Sequence, residues 1–112
     1  MKDCIFCKIG KKELPADIIY EDDKIVAFKD IHPKAPIHYL IIPKEHIVRI
    51  KEFPAGFEEL IGYMILTSRK IAAQQGFADG YKIVINVGRE GGPVDHLHIH
   101  VLCGDYSRMK EL

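Results

Sequence analysis

Near its C-terminal end the chain alternates polar and apolar residues without a break through His96-Leu97-His98-Ile99-His100-Val101-Leu102. Alternation at every second position is the strand period, so Leu97, Ile99 and Val101 are expected to face a core while His96, His98 and His100 share the other face. Residues 17–20 and 24–29 flank the acidic turn Glu21-Asp22-Asp23 and read as a hairpin; residues 37–42 read as a buried strand carrying His38, and residues 81–87 as another strand. Between Phe57 and Gln75 the period changes. Phe57, Leu60, Ile61, Met64, Ile71 and Ala72 fall on one helical stripe, with Glu58, Glu59, Arg69 and Lys70 largely opposite and Gly76 as the stop. Tyr63, Leu66 and Thr67 lie off that stripe and give the helix a second, partly apolar side.

The segments between these elements carry turn chemistry. Residues 4–10 suggest a short helical turn ending near Gly10, with Ile5, Phe6 and Ile9 as its apolar members, and residues 11–16 a connector. Residues 30–36 hold Pro33 and Pro36, which remove amide donors and make this stretch a loop. Pro43 breaks the third strand, residues 47–53 read as a turn or partial helix, residues 88–93 as a turn-rich loop and residues 107–112 as a loose tail. Five strands in short succession and one long helix predict an α+β fold, an antiparallel sheet with the helix packed on it.

Composition narrows the partners. A length of 112 residues suits one domain with one core. Sixteen basic residues offset sixteen acidic ones and no basic block occurs, which argues against a nucleic-acid groove or an anionic membrane surface. The apolar runs are far shorter than a membrane span and no secretory leader is evident at the start, so a cytoplasmic protein is expected. Three cysteines, an odd number with two in Cys4-Ile5-Phe6-Cys7, fit a reducing compartment and a metal better than a disulfide framework.

Three imidazoles in a row are poor core filling and good phosphate chemistry. Crowding disfavours protonating all of them together, so a mixture of neutral and cationic rings is expected at neutral pH. A neutral ring then attacks phosphorus while a charged neighbour holds the oxygens. From the residues alone, two further readings stand: a metal-dependent hydrolase using His96, His98 and His100, or two of these with His38, and for His38 a plain core histidine. Cys103 is expected to be a packing residue and His32 an exposed one.

The histidine run, with Cys4-x-x-Cys7, Tyr20-Glu21-Asp22-Asp23, Ala27-Phe28-Lys29-Asp30-Ile31, Ala35-Pro36-Ile37-His38, Ile41-Ile42-Pro43-Lys44-Glu45-His46 and Asn86 in order, resembles the histidine triad superfamily. The likeness is closest to the histidine triad nucleotide-binding, or nucleoside phosphoramidase, branch and covers residues 4 to about 104. It implies a histidine-triad-like fold and hydrolysis at the α-phosphate of purine nucleoside phosphoramidates or related conjugates through a nucleotidyl-histidine, releasing the monophosphate. It implies that His98 is the nucleophile, that His100 and His38 bond phosphate oxygens, and that Asp30 accepts from the ribose hydroxyls. By the same resemblance Phe6, Ile9, Phe28 and Ile31 form the slot around the base, and Asn86 lies near the phosphate. Zinc-binding bacterial members imply structural zinc on Cys4, Cys7, His46 and His96. The resemblance also implies AMP- or GMP-like ligands and a homodimer.

Two departures matter. The loop before the triad, Gly91-Gly92-Pro93-Val94-Asp95, is one residue shorter than the family's Gly-Gly-Gln-Ser pattern and lacks its amide and hydroxyl, and the chain has no tryptophan. These leave open a purine-nucleotide-binding or sensing module that does not turn over.

Overall fold

A computed structural model describes residues 4–45, 55–86 and 96–104. The elements run α1 (Ile5–Gly10), β1 (Ile18–Glu21), β2 (Ile25–Lys29), β3 (Ile37–Pro43), α2 (Glu58–Gln74), β4 (Lys82–Ile85) and β5 (Ile99–Cys103). The five strands form one sheet in the order β1-β2-β3-β5-β4, with every neighbouring pair antiparallel. The fold is thus α+β, as the hydrophobic pattern predicts.

Strand alternation divides the core in two. Ile25 and Ala27 of β2, Tyr39 and Ile41 of β3 and Ile99, Val101 and Cys103 of β5 are buried on one face beneath Met64, Ile71 and Ala72 of α2. The intervening residues Val26, Phe28, Leu40 and Ile42 are buried on the other face with Phe6 and Ile9 of α1. β3 is the central strand with apolar residues pointing both ways, which is why its sequence reads as a nearly continuous apolar run. His38 shares the parity of Leu40 and Ile42, and His100 pairs with Leu40 across β3 and β5. Both therefore lie on the α1 face, away from the long helix.

Several boundaries differ from the sequence pattern. The last strand begins at Ile99 rather than at His96, although Leu97 is buried with Ile99 and Val101 as the alternation requires. The reason is local: the His96 carbonyl is taken by the side chain of His98, at 2.8 Å. β1 contains an irregularity between Ile18 and Tyr20, which turns both Ile19 and Tyr20 toward the α2 core. On α2, Thr67 and Ser68 are buried along with the predicted stripe, so the second apolar side reduces to Ile65 and Leu66, 38% and 54% exposed. Thr67 tolerates burial because its Oγ1 donates to the Tyr63 carbonyl at 2.8 Å. The helix ends as expected, with Gly76 at φ +89°. The expected turn or partial helix at 47–53, the loop at 88–93 and the tail at 107–112 lie outside the described residues, as does Val87, where the expected fourth strand ends. Among the described residues no helix is long and apolar enough to cross a membrane.

Candidate functional site

Hydrogen bonds from the main chain fix the histidines one by one, beginning with His38. Its Nδ1 accepts the backbone N–H of Lys34 at 2.9 Å, and a backbone amide can only donate. The ring's single proton is therefore on Nε2, which lies 2.8 Å from His100 Nδ1. That nitrogen must accept, so the proton of His100 sits on its Nε2. The Asn86 side-chain amide lies 3.5 Å from the same Nε2, and a proton on that nitrogen requires the amide to be turned so that its oxygen accepts. A directed chain thus runs from the loop at 30–36, through His38, to the outward nitrogen of His100.

Burial keeps the pair neutral. Desolvation lowers the pKa of His38, with the carboxylate of Asp30 opposing and Lys34 assisting. Desolvation likewise lowers His100, to about 4, aided by His98 and His38 and opposed by Asp30. Of the row expected to mix neutral and cationic rings, His100 is held on the neutral side, and His38 is pushed the same way, because both side chains lie inside the fold.

His98 stands nearer the surface than its neighbours. Its Nδ1–H donates to the His96 carbonyl, leaving Nε2 with an unshared pair. The Phe6 ring meets it edge-on at 5.2 Å between centroids and the His100 ring lies 5.0 Å away, so the imidazole is confined on two sides. Such a ring is set up to act as a nucleophile.

His96 turns toward α1. Its Nε2–H donates to the Pro43 carbonyl at 3.0 Å, so Nδ1 presents its unshared pair, 3.2 Å from Cys4 Sγ and 3.5 Å from Cys7 Sγ. Tetrahedral zinc with ordinary Zn–S and Zn–N bonds places sulfur and nitrogen ~3.5 Å apart, close to both sulfur–nitrogen distances here. The carbonyl behind the ring is the support that a ligating histidine requires. Cys4, Cys7 and Cys103 are thiols rather than disulfides. Burial, followed by the Cys4 neighbour, pushes the Cys7 thiol up to about 11. The fourth expected ligand, His46, lies outside the described residues.

A second group of possible ligands, Asp30, His38 and His100, is also gathered with its donor atoms within 4.8 Å of one another. Its hydrogen bonds oppose a cation. An ion on His38 Nε2 would drive the ring proton to Nδ1, directly against the Lys34 N–H. Nor are His96, His98 and His100 gathered as one ligand set among the described residues. The geometry disfavours the metal-hydrolase reading on both counts.

The remaining site residues border this face. Asp30 Oδ1 accepts the His32 N–H at 2.8 Å, while Oδ2 lies 3.4 Å from His38 Nε2. Phe6 and Phe28 pack edge to face at 5.7 Å beside Ile9. Ile31 is 86% exposed, an apolar side chain held in solvent at the edge of the same loop. His32 is exposed and Cys103 is buried in the core, as the sequence suggests. The Lys34 amide, which sets the polarity of the whole chain, carries no side-chain signal; the proline-bounded loop is the only hint of it. Gly91 to Asp95 lie outside the described residues.

An α+β sheet with paired neutral histidines on one face and a thiol–imidazole cluster beside them defines a histidine-centred domain, and the comparisons say which. A family model for the HIT domain matches residues 11–107, and the chain belongs to that family. An uncharacterized HIT-like protein of Synechococcus elongatus is 51% identical over 104 residues, 92% of this chain and 91% of that protein. A HIT family hydrolase from Legionella pneumophila superposes with a TM-score of 0.88 at 43% identity, covering 92% of this chain and 94% of the other. A histidine triad nucleotide-binding protein from Candida albicans gives 0.79 at 33% identity, over 88% and 73%. A Zn-bound histidine triad family protein from Mycobacterium smegmatis gives 0.80 at 34%, over 95% and 77%.

Proposed function

We propose that this protein is a nucleotide-binding hydrolase that cleaves purine nucleoside phosphoramidates or related conjugates at the α-phosphate through a nucleotidyl-histidine. The observation that carries the reading is the opposed state of two neighbouring rings: His98 Nδ1–H is spent on a carbonyl, leaving a nucleophilic Nε2, while His100 holds its proton on Nε2. His98 Nε2 attacks phosphorus as the bond to the leaving group breaks, and a departing amine takes its proton from solvent. Water then cleaves the phosphorus–nitrogen bond to His98 and releases the nucleoside monophosphate. His100 donates to a phosphate oxygen, which counts for rate when it strengthens in the transition state. His38 holds His100 in the tautomer that can donate. Asp30 takes the ribose hydroxyls, and Phe6, Ile9, Phe28 and Ile31 take the base; the exposure of Ile31 is what a residue awaiting an apolar ligand shows. Asn86, near His100, lies beside the phosphate.

Cys4, Cys7, His96 and His46 hold structural zinc in this reading, supported by the fit of the first three. The ion would tie α1 to the residues before β5, with no open position for chemistry. The protein is expected to form a homodimer, with Ile65 and Leu66 of α2 in the contact.

The deciding experiment is single-turnover hydrolysis of an adenosine phosphoramidate by wild type and His98→Ala, with acid-labile adenylylated protein followed by mass. Adduct and AMP from wild type alone are expected, with the variant slower by about 10⁴-fold or more, as for loss of a covalent nucleophile. Tight binding of AMP without adduct or product would instead favour the sensing module, which the short loop before His96 keeps in play.

A further inference from the structure

Asp30 faces two ways. Oδ1 is fixed by the His32 N–H within the loop, whereas Oδ2 lies 3.4 Å from His38 Nε2. That Nε2 carries one proton, already directed to His100 Nδ1 at 2.8 Å. Two acceptors thus share one donor, and the distances rank them: the imidazole holds the hydrogen bond and the carboxylate draws on it from the side. Accessibility separates them further, because the Asp30 side chain is 17% exposed and that of His38 is fully buried. A ligand reaches the carboxylate and not the ring behind it. Besides Asp30, the charged or titratable groups acting on the pair are Lys34 on the same loop and His98 beside His100.

We infer that Asp30 is a positioning residue through which the 2′,3′-diol of a bound nucleoside sets the His38–His100 pair. Hydroxyls donating to Oδ2 occupy its lone pairs, the His38 Nε2–H is left wholly to His100 Nδ1, and His100 is held with its own Nε2–H toward the phosphate. The inference rests on the nucleotide-hydrolase reading and adds to it that ribose recognition acts on kcat as well as on binding. Rings buried this deeply respond strongly to such a change, since the medium screens it little. No proton leaves either ring; only the partner of one hydrogen bond is settled.

The test uses the full chain with ¹⁵N-labelled histidine, observed by NMR with AMP, 2′,3′-dideoxy-AMP or inorganic phosphate. AMP is expected to shift the His38 Nε2 and His100 Nδ1 resonances well beyond the effect of the dideoxy nucleotide or of phosphate. In Asp30→Asn, which keeps an oxygen for the His32 N–H but puts an amide N–H donor where Oδ2 faced the diol and His38, AMP and dideoxy-AMP should give the same ring shifts. In turnover, removing the diol from an adenosine phosphoramidate should lower wild-type kcat by about 10- to 100-fold, the scale of small misplacements at a reacting centre. In Asp30→Asn the two substrates should share one kcat. Ring shifts that are identical for both nucleotides in wild type, or a dideoxy substrate that raises KM at unchanged kcat, would overturn the inference while leaving the hydrolase reading intact. If no nucleotide perturbs any residue of the pocket, the hydrolase reading fails and this falls with it. The wild-type comparison decides even where Asp30→Asn does not fold.

Discussion

His96 uses its two ring nitrogens for different purposes, and its main chain for a third. Nε2 donates to Pro43, Nδ1 faces the sulfurs of Cys4 and Cys7, and the carbonyl receives the His98 proton. An ion at the sulfurs would therefore stiffen the residue against which the proposed nucleophile is braced, without entering the reaction. Purified protein is expected to contain about one zinc per chain by elemental analysis, and Cys7→Ser substantially less. Zinc at 100 times its dissociation constant stabilises the folded state by ~2.7 kcal/mol, so chelation should lower Tm and added zinc restore it. Below that Tm the single-turnover rate should change by less than about twofold, because the His98 tautomer is set by a carbonyl and not by the ion. Loss of rate on mild chelation, rescued by metal with the fold unchanged, would return the metal-hydrolase reading to contention.

At the scale of elements, the β1–β2 hairpin is pinned to α2 by one carboxylate. Asp22 Oδ1 accepts the N–H groups of Lys24 and Ile25 at 2.8 and 2.9 Å, while Oδ2 accepts the hydroxyls of Tyr20, at 3.0 Å, and Tyr63. Burial alone would raise this carboxyl, but the Tyr63 hydroxyl, the two amides and Tyr20 outweigh it and hold the pKa at about 2. A carboxylate depressed in the folded state stabilises above its unfolded pKa, near 4, and that contribution disappears as the pH falls toward 2. Asp22→Ala should cost about 1–3 kcal/mol at neutral pH by urea denaturation, and the difference from wild type should shrink across that window. A constant difference down to pH 2 would show that the side chain acts by shape and not by charge. The sequence marks the acidic turn but not its long-range partner: Tyr63, set off the apolar stripe by its spacing, packs against the α2 core and its hydroxyl reaches the hairpin. Elements whose residues repeat with a clear period were legible, as with α2 and the two faces of β3. Those set by a side chain bonding to the main chain, such as the late start of β5, were not.

Across the whole molecule, the same burial that makes the histidine pair suited to phosphate makes the fold sensitive to acid. Alternation put His98 and His100 on one face, and His38 joined them only through the family resemblance; their charge was not legible, because it depends on how deeply the sheet and α1 enclose them. His100 in the folded chain binds a proton only near pH 4, against an ordinary value of 6.5. Between those values the unfolded chain holds more protons than the folded one, so stability is complete above about 6.5 and declines as the pH falls toward 4. At 1.36 kcal/mol per pH unit the loss from this one ring is at most about 3 kcal/mol. His38, shifted the same way, adds to it in direction. Urea midpoints taken from pH 7.5 down to 4.5 should therefore hold to about pH 6.5 and then fall, in a window above the one governed by Asp22. His100→Gln, neutral throughout, should flatten that slope even where it lowers stability at neutral pH. An equal slope in the variant would mean that acid enters the fold elsewhere, and that the pair is not held neutral by its burial.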